Sequence, residues 1–313
     1  MRPAVAALAL TFVAAGARAE EGPTGHYVPG GVSDFVDAVP SKATIVVRAH
    51  VLRYEGSGGA LAMPIAGLTV TDVRETRWAF GVTAAVRPTY TLTPRLGWAA
   101  SITVPLVHVA VSGDVAQRDG GTIARGESIT GIGDLFVAPL MLLYALTPEL
   151  SISGRVGLYM PTGRYQTGRL SNTGKNYFTL EPLLGLEYFG ERNGIEVALH
   201  GGFDFNTMNK STQYQTGTQT HVDATLAWHF QLGRGQAGAG ASGYWYRQLA
   251  ADSGVGATLG SFEARSLGVG PVASYLFRVR NIAVAMDLRW TRDLGVRNRL
   301  EGDLWFLKAV AAL

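Results

Sequence analysis

The chain has 313 residues, among them 27 Lys and Arg, 24 Asp and Glu, 40 glycines and no cysteine. The absence of cysteine excludes disulfide bonds and thiolate chemistry. The charges nearly cancel, and no run rich in Lys and Arg carries interleaved aromatic residues, so we expect no nucleic-acid partner. No residue pattern requires a cofactor, and none is expected.

The first 19 residues have the three parts of an export signal. Arg2 supplies the charged start, residues 4–17 are apolar, and Ala17-Arg18-Ala19 forms a small-x-small cleavage site before Glu20. The apolar part has about 14 residues, whereas a spanning helix needs about 20, so a membrane anchor is the weaker interpretation. The sequence therefore predicts an exported protein whose mature chain begins near Glu20.

Residues 20–42 form a polar segment ahead of the first predicted strand. The segment is rich in Gly and Pro, and Tyr27, Phe35 and Val36 are among its few apolar residues. It could fold back into the following domain as a plug, or it could be a loose lead in the periplasm. Its composition favours the loose lead.

From residue 43 onward, one unit repeats about twelve times: roughly ten residues of alternating polarity, closed by a short turn and a long loop in turn. The predicted strands are residues 43–54, 77–92, 97–112, 133–146, 150–161, 177–189, 195–206, 221–232, 237–249, 264–277, 282–292 and 300–313. A soluble β-sandwich gives no reason for short and long connections to alternate. We therefore predict an all-β fold, a transmembrane up-and-down antiparallel β-barrel over residues 43–313, in the outer membrane of a Gram-negative bacterium.

The alternation within the strands separates side chains that face lipid from side chains that face the lumen. In residues 195–205 the odd positions are mostly apolar, while Glu196, His200 and Asp204 occupy even ones. The same parity predicts these lumen-facing residues: Arg48, His50, Arg87, Asp134, Arg155, Glu181, Glu187, Glu196, His200, Asp204, Asp223, Asp287, Arg289 and Lys308. Charges of both signs argue against a simple anion or cation pore. Either they neutralise one another across a hydrated wall, or they position a polar group of a hydrophobic molecule.

Four prolines lie inside predicted strands, away from the short turns: Pro105, Pro139, Pro182 and Pro271. Each proline removes a hydrogen-bond donor from the ladder between strands. Because Pro105 and Pro139 lie on neighbouring strands, we expect a bulge or a lateral opening of the wall there. The alternative is that harmless bulges shape the wall.

The densest cluster of groups able to bind a metal lies on the seventh and eighth predicted strands, which should be antiparallel neighbours. It consists of His200, Asp204, His221 and Asp223. No tight ligand spacing such as His-x-x-x-His occurs, so we expect no metal site.

A lipase-like enzyme is the competing class of membrane barrel. His108 and Ser112 share one face of a strand. Four residues along a strand separate them by about 13 Å, whereas a nucleophile and its base need about 3 Å. No Gly-x-Ser-x-Gly motif occurs. We therefore expect no enzyme, and a structural barrel with a filled interior stays as a third class.

Seven short segments stand in order along the chain: residues 26–31, 131–135 with Pro139, 161–165, 174–177 with Pro182, 214–217, 243–249 and 267–271. They resemble segments of the outer-membrane barrels grouped as the MetA-pathway of phenol degradation family, loosely related to FadL-type transporters of hydrophobic compounds. Many outer-membrane barrels end on an aromatic residue, whereas this chain continues past Trp305 and Phe306 to Leu313.

The resemblance implies a channel or transporter for small hydrophobic or aromatic molecules, with passive passage through the lumen. We expect a monomer whose partners are outer-membrane lipid, the barrel-assembly machinery and these small molecules. Lateral exit from the lumen into lipid is a further expectation of the FadL-type resemblance.

Overall fold

A computed structural model describes residues 21–22, 24–39, 42, 44–91, 93–260 and 263–313. The predicted export signal lies outside these residues. The described chain contains one 3-10 turn, Phe35–Asp37, and the strands β1 Thr44–Ser57, β2 Met63–Ile65, β3 Leu68–Arg87, β4 Leu96–Ala116, β5 Thr122–Ile132, β6 Leu135–Ala145, β7 Leu150–Met160, β8 Thr179–Phe189, β9 Ile195–Asn206, β10 Gln219–Leu232, β11 Gly235–Gln248, β12 Arg265–Val279, β13 Ile282–Arg297 and β14 Glu301–Ala312. Within this part of the chain, no helix is long and apolar enough to cross a membrane.

Twelve of the strands close into one antiparallel barrel, which confirms the predicted fold. Neighbours along the chain pair with each other, except that β1 pairs with β3 and β4 pairs with β6, so that β2 and β5 lie outside the ring. The barrel closes where β1 pairs with β14, from Val46–Ala312 to Ser57–Glu301. A closed sheet has no unpaired edge, as a bilayer without hydrogen-bond partners requires.

The polarity of the barrel is reversed relative to a soluble protein. Along β9, Leu199 and Phe203 are 45% and 46% exposed on the outer face, whereas His200 and Asp204 are completely buried inside. Leu226 of β10 is 60% exposed. Such an outer surface is stable against lipid rather than water. The parity predicted for β9 is confirmed.

The two ends of the barrel differ in the length of their connections. Residues 88–95, 146–149, 190–194, 233–234 and 280–281 make short connections at what we call the turn end. The opposite, or loop end, carries the long connections. In barrels of this kind the turn end faces the periplasm and the loop end faces the exterior.

The predicted loops at residues 55–76 and 113–132 contain strand residues and were therefore wrong in part. β3 and β4 remain paired as far as Val70–Val115, and β5 pairs with β4 from Leu106–Ile132 to Ala116–Thr122. β5 has no fully buried residue on either face. β5 lies outside the barrel wall, so its two faces do not meet lipid on one side and the lumen on the other. Its sequence therefore lacks the alternation of apolar and polar residues that marks a wall strand.

Residues 24–39, which we call the strap, lie inside the barrel. Just ahead of the strap, Glu21 accepts hydrogen bonds at the loop end from Tyr165 (3.1 Å) and Thr212 (2.7 Å). At the other end of the strap, Val39 packs with Met141 and other residues near the turn end. The strap therefore runs through the lumen before the chain enters β1 at the turn end.

Candidate functional site

The 3-10 turn of the strap carries a buried carboxylate, Asp37, that joins several strands. Asp37 accepts hydrogen bonds from Arg48 on β1 and Lys308 on β14, and both contacts are ion pairs. Arg155 on β7 donates to the backbone oxygen of Asp37 at 3.0 Å. Because Asp37 and Lys308 are inaccessible to solvent, each charge depends on the other for compensation.

A second strap carboxylate, Asp34, begins the 3-10 turn and pairs with β13. Its side chain accepts the backbone N–H of Val36 at 2.9 Å, as an N-cap does, and also accepts from Arg289. Arg289 further donates to Asp287 at 2.8 and 3.0 Å. Strap acids and wall cations therefore neutralise each other in the half of the lumen near the turn end.

The opposite side of the strap contacts acidic residues of the wall. Asp223 on β10 accepts from the hydroxyl of Tyr27 at 3.0 Å and from the backbone N–H of Gly30 at 2.7 Å. Glu196 on β9 accepts from the backbone N–H of Phe35 at 2.9 Å. The wall thus supplies acceptors where the strap presents donors, and cations where the strap presents acids.

A cavity of about 240 Å³, open to solvent, lies between the strap and the wall. Its polar lining includes predicted lumen residues: Arg48, His50, Asp134, Glu181 and Asp223. Its apolar lining includes Leu52, Phe136, Leu183, Leu300, Leu304 and Phe306. The cavity therefore offers both a hydrophobic surface and a few oriented polar groups, as sites for small molecules do.

The other predicted lumen residues are buried but are not among those that line the cavity. They are Arg87, Arg155, Glu187, Glu196, His200, Asp204, Asp287, Arg289 and Lys308. Several hold the strap, as described above, and His200 lies 3.0 Å from Glu187 on the neighbouring strand. Arg87 lies at the turn end, beside Gly97. The alternation along a strand predicts which face a residue occupies. It predicts neither how deep in the barrel the residue lies nor that a strap fills part of the lumen.

The wall is interrupted beside the cavity, between β5 and β6. β5 ends at Ile132 and β6 begins at Leu135, so that Gly133 and Asp134 belong to neither strand. Gly133 donates its N–H to the oxygen of Pro105 on β4 at 2.9 Å. Pro105, Gly133 and Asp134 all line the cavity. The cavity thus reaches the wall at the place where β4 changes its hydrogen-bonded partner from β6 to β5.

Asp134 ties this interruption to the loop end and to the strap. It accepts the backbone N–H groups of Gly163 (2.9 Å) and Lys175 (2.7 Å), and its carboxylate lies 3.0 Å from Nε2 of His26. The loop of residues 161–178 therefore covers the interruption. Burial lowers the pKa of His26, and the hydrogen bond to Asp134 offsets only part of this effect, so the ring is neutral near pH 7.

The remaining strand prolines are arranged in two ways. Pro139 lies in a bulge of β6, where the register shifts between Val137 and Leu140 against β7. Pro182 and Pro271 leave the register unchanged. The irregular stretch is therefore on β6, next to the interruption at Gly133.

The residues considered for catalysis lie apart from the cavity. His108 is on β4, where its Nδ1 is 2.7 Å from the hydroxyl oxygen of Thr130 on β5. Neither His108 nor Ser112 lines the cavity.

Parity within strands could not identify the strap residues His26, Asp34 and Asp37. The available signal was their chemistry: two acids in an otherwise Gly-rich segment, preceding a barrel whose predicted lumen carries several cations.

Comparisons with known proteins agree with this architecture. Among solved structures, the COG4313 outer membrane channel from Pseudomonas putida F1 has a TM-score of 0.66 at 16% identity, covering 92% of this chain and all of that one. The β domain of the Bordetella autotransporter BrkA has a TM-score of 0.47 at 11% identity, covering 86% and 100%. The CymD monoaromatic hydrocarbon channel has 0.43 at 8%, covering 87% and 89%.

The first of these likenesses supports a shared outer-membrane barrel fold, and the other two carry no argument. A search of curated proteins found no match. The sequence profile of the family described as "Putative MetA-pathway of phenol degradation" matches residues 66–308, which is most of the chain. The chain therefore belongs to the family of the MetA-pathway of phenol degradation.

Proposed function

We propose that this protein is a monomeric outer-membrane channel for passive transport of small hydrophobic compounds, including aromatic ones. The observation that carries the proposal is the cavity of about 240 Å³ with a largely apolar wall inside a closed barrel. Pockets of about 300–1000 Å³ hold drug-sized molecules, and this smaller cavity fits a compound with a single aromatic ring rather than a larger ligand. The family description, which names phenol degradation, supports aromatic substrates.

The strap obstructs a straight path from the cavity to the turn end. Moving it would separate the ion pairs of Asp34 and Asp37 with Arg289, Arg48 and Lys308. Breaking one buried ion pair costs about 3–5 kcal/mol. A route that leaves the strap in place is therefore favoured.

The interruption between β5 and β6 offers such a route, and we infer lateral exit there. The cavity contacts Pro105, Val107, Gly133 and Phe136 on this side. A hydrophobic compound loses free energy when it passes from a hydrated lumen into lipid, so this exit needs no other driving force. The loop of residues 161–178 must shift to open the path, since its backbone donates to Asp134.

The remaining partners follow from the proposed location. A barrel with an apolar outer face requires outer-membrane lipid and the barrel-assembly machinery. No catalytic step is included, because transport of this kind needs only the cavity and its exits.

The test is uptake of phenol, toluene and octane, with sucrose for comparison, into liposomes that contain the refolded protein. The lateral route is closed by a disulfide in Gly131→Cys/Thr173→Cys, because a Cβ at Gly131 would lie 3.5 Å from Cγ2 of Thr173. The matched control is Thr225→Cys/Ser242→Cys, an inward pair in the regular ladder between β10 and β11.

We expect hydrophobic uptake to fall at least about tenfold in the oxidised first pair and to recover on reduction, with no change in the control pair. Deletion of residues 21–39 should admit sucrose, because it removes the strap. Arg155→Ala, which removes a contact with Asp37, should also loosen the strap. Uptake unaffected by the disulfide would refute lateral exit. If folded protein transports none of the compounds, the channel proposal fails and a structural barrel replaces it.

A further inference from the structure

Three buried side chains from adjacent strands converge on one point of the lumen. They are Glu181 on β8, Asp204 on β9 and His221 on β10. One oxygen or nitrogen atom from each lies within 4.8 Å of the corresponding atoms of the other two. Nε2 of His221 and Oε1 of Glu181 are 3.3 Å apart. Glu181 and His221 also line the cavity.

The ring of His221 is buried between two carboxylates. It is 2% exposed, and each ring nitrogen lies within ion-pair distance of a carboxylate, although neither contact has the geometry of a regular hydrogen bond within the described part of the chain. Nε2 points toward Glu181, and Nδ1 lies 3.5 Å from Asp223. A neutral ring in this position presents one nitrogen as a ligand atom toward Glu181 and Asp204, which is the form in which histidine binds metal ions.

The backbone around the cluster makes room for the ring. Gly202 of β9 pairs with His221, and a Cβ at this glycine would lie 2.8 Å from Nε2. The pairs Leu180–Phe205 and Leu183–Gly202 of β8 and β9 keep the same register. Between them, Glu181 and Pro182 are not paired with residues of β9. The ladder is thus locally open at the cluster.

We propose that Glu181, Asp204 and His221 bind a divalent transition-metal ion of the Zn²⁺ class. A tetrahedral ion with bonds of about 2.1 Å holds its ligand atoms about 3.4 Å apart, close to the spacing of His221 and Glu181. Two carboxylates balance the charge of the ion, and imidazole with carboxylate is a donor set that Zn²⁺ accepts. Because Glu181 and His221 line the cavity, a further ligand could reach the ion from it.

Asp223 orients the histidine in this site. Metal-bound imidazoles commonly donate their second N–H to a carboxylate, which fixes the ring and increases its basicity. Asp223 is itself held by Tyr27 and Gly30 of the strap, and the ring of Tyr27 stacks on His221 at 4.1 Å between centroids. The ion site is therefore connected to the strap. The proposal does not depend on which compounds the barrel transports.

The test is a Co²⁺ titration of the untagged, refolded full-length protein, followed by its visible absorption, with Zn²⁺ competition. We expect one ion per chain. His221→Gln and Glu181→Gln should weaken binding at least about 100-fold, and Asp223→Asn about 10- to 100-fold. The matched control is His229→Gln on the same strand, because His229 contacts Glu196 at 2.7 Å outside the cluster. It should bind Co²⁺ as the unaltered protein does.

Folding of every variant is checked by its heat-modifiable migration in gels. The site is refuted if the folded protein binds no Co²⁺, if His221→Gln binds normally, or if His229→Gln loses binding equally. The first result would assign the cluster to a protonated His221 between Glu181 and Asp223. If His221→Gln does not fold, Asp204→Asn is measured instead, and its normal binding would overturn the proposal.

Discussion

Asp37→Asn tests whether buried ion pairs hold the strap in the lumen. The change removes the negative charge that Arg48 and Lys308 share, while both cations stay buried or nearly so. Removing one partner of a buried pair costs about 3–5 kcal/mol. Since 1.4 kcal/mol is a factor of ten in an equilibrium, the strap should detach about 100- to 4000-fold more often.

Detachment is measurable as the reaction of a single introduced cysteine with a water-soluble maleimide, because the natural chain has no cysteine. Val36→Cys places the thiol at a buried position of the 3-10 turn. When opening and closing are fast, the labelling rate follows the open fraction. Asp37→Asn should raise that rate by the factor given above.

Glu55→Gln is the control for this measurement, because it removes the charge of an exposed ion pair with Arg53. Exposed pairs contribute at most about 1 kcal/mol, so labelling of the introduced thiol should change less than about fivefold. Equal labelling rates in Asp37→Asn and Glu55→Gln would show that the buried pairs do not retain the strap.

The remaining predictions concern acid, packing and lipid. Burial lowers the pKa of His26 from its ordinary 6.5, so its contribution to strap retention is complete above about pH 6.5 and is lost as pH falls through the lowered value. The labelling rate of the thiol introduced by Val36→Cys should therefore rise as pH falls, and His26→Gln should abolish this rise. An equal rise of the labelling rate in the His26→Gln variant would contradict the assignment to His26. Gly202→Ala should lower the free energy of unfolding, measured in urea, by about 1–3 kcal/mol, because its Cβ meets the ring of His221, whereas Gly201→Ala, with its nearest atom at 3.7 Å, should be nearly neutral. Leu226→Arg should destabilise the barrel in lipid by about 2–4 kcal/mol, and an unchanged stability would argue that this face does not meet lipid.

The wall was predictable because lipid and lumen place opposite demands on successive residues. In β9 those demands give Leu199 outside and His200 inside, and the order of apolar and polar residues is visible in the sequence. The closed ring of twelve strands follows, since a bilayer tolerates no free edge.

The strap was not predictable in the same way. Its Gly-rich, polar composition is what a disordered segment also shows. Within the strap, the carboxylate of Asp37 accepts only from backbone, the N–H of Ser33 at 2.9 Å, and this contact does not reveal its charged partners. Its partners, Arg48 and Lys308, lie 11 and 271 residues away. Only the folded lumen brings them together.

The cluster around His221 was partly predictable. Asp204 and His221 were recognised as inward neighbours on adjacent strands, but Glu181 was placed only in the general set of lumen residues. Its proximity depends on the register of β8 against β9, which parity does not provide.

The position of the strap has a consequence for the order of assembly. Its two carboxylates contact cations on β1, β13 and β14, the strands beside the seam where the barrel closes. A seam that closed first would bury Arg48, Arg289 and Lys308 together, with Asp287 as their nearest wall acid. Repulsion among these cations penalises early closure. The strap's carboxylates offset this repulsion, so closing the seam around the strap is favoured over closing an empty barrel.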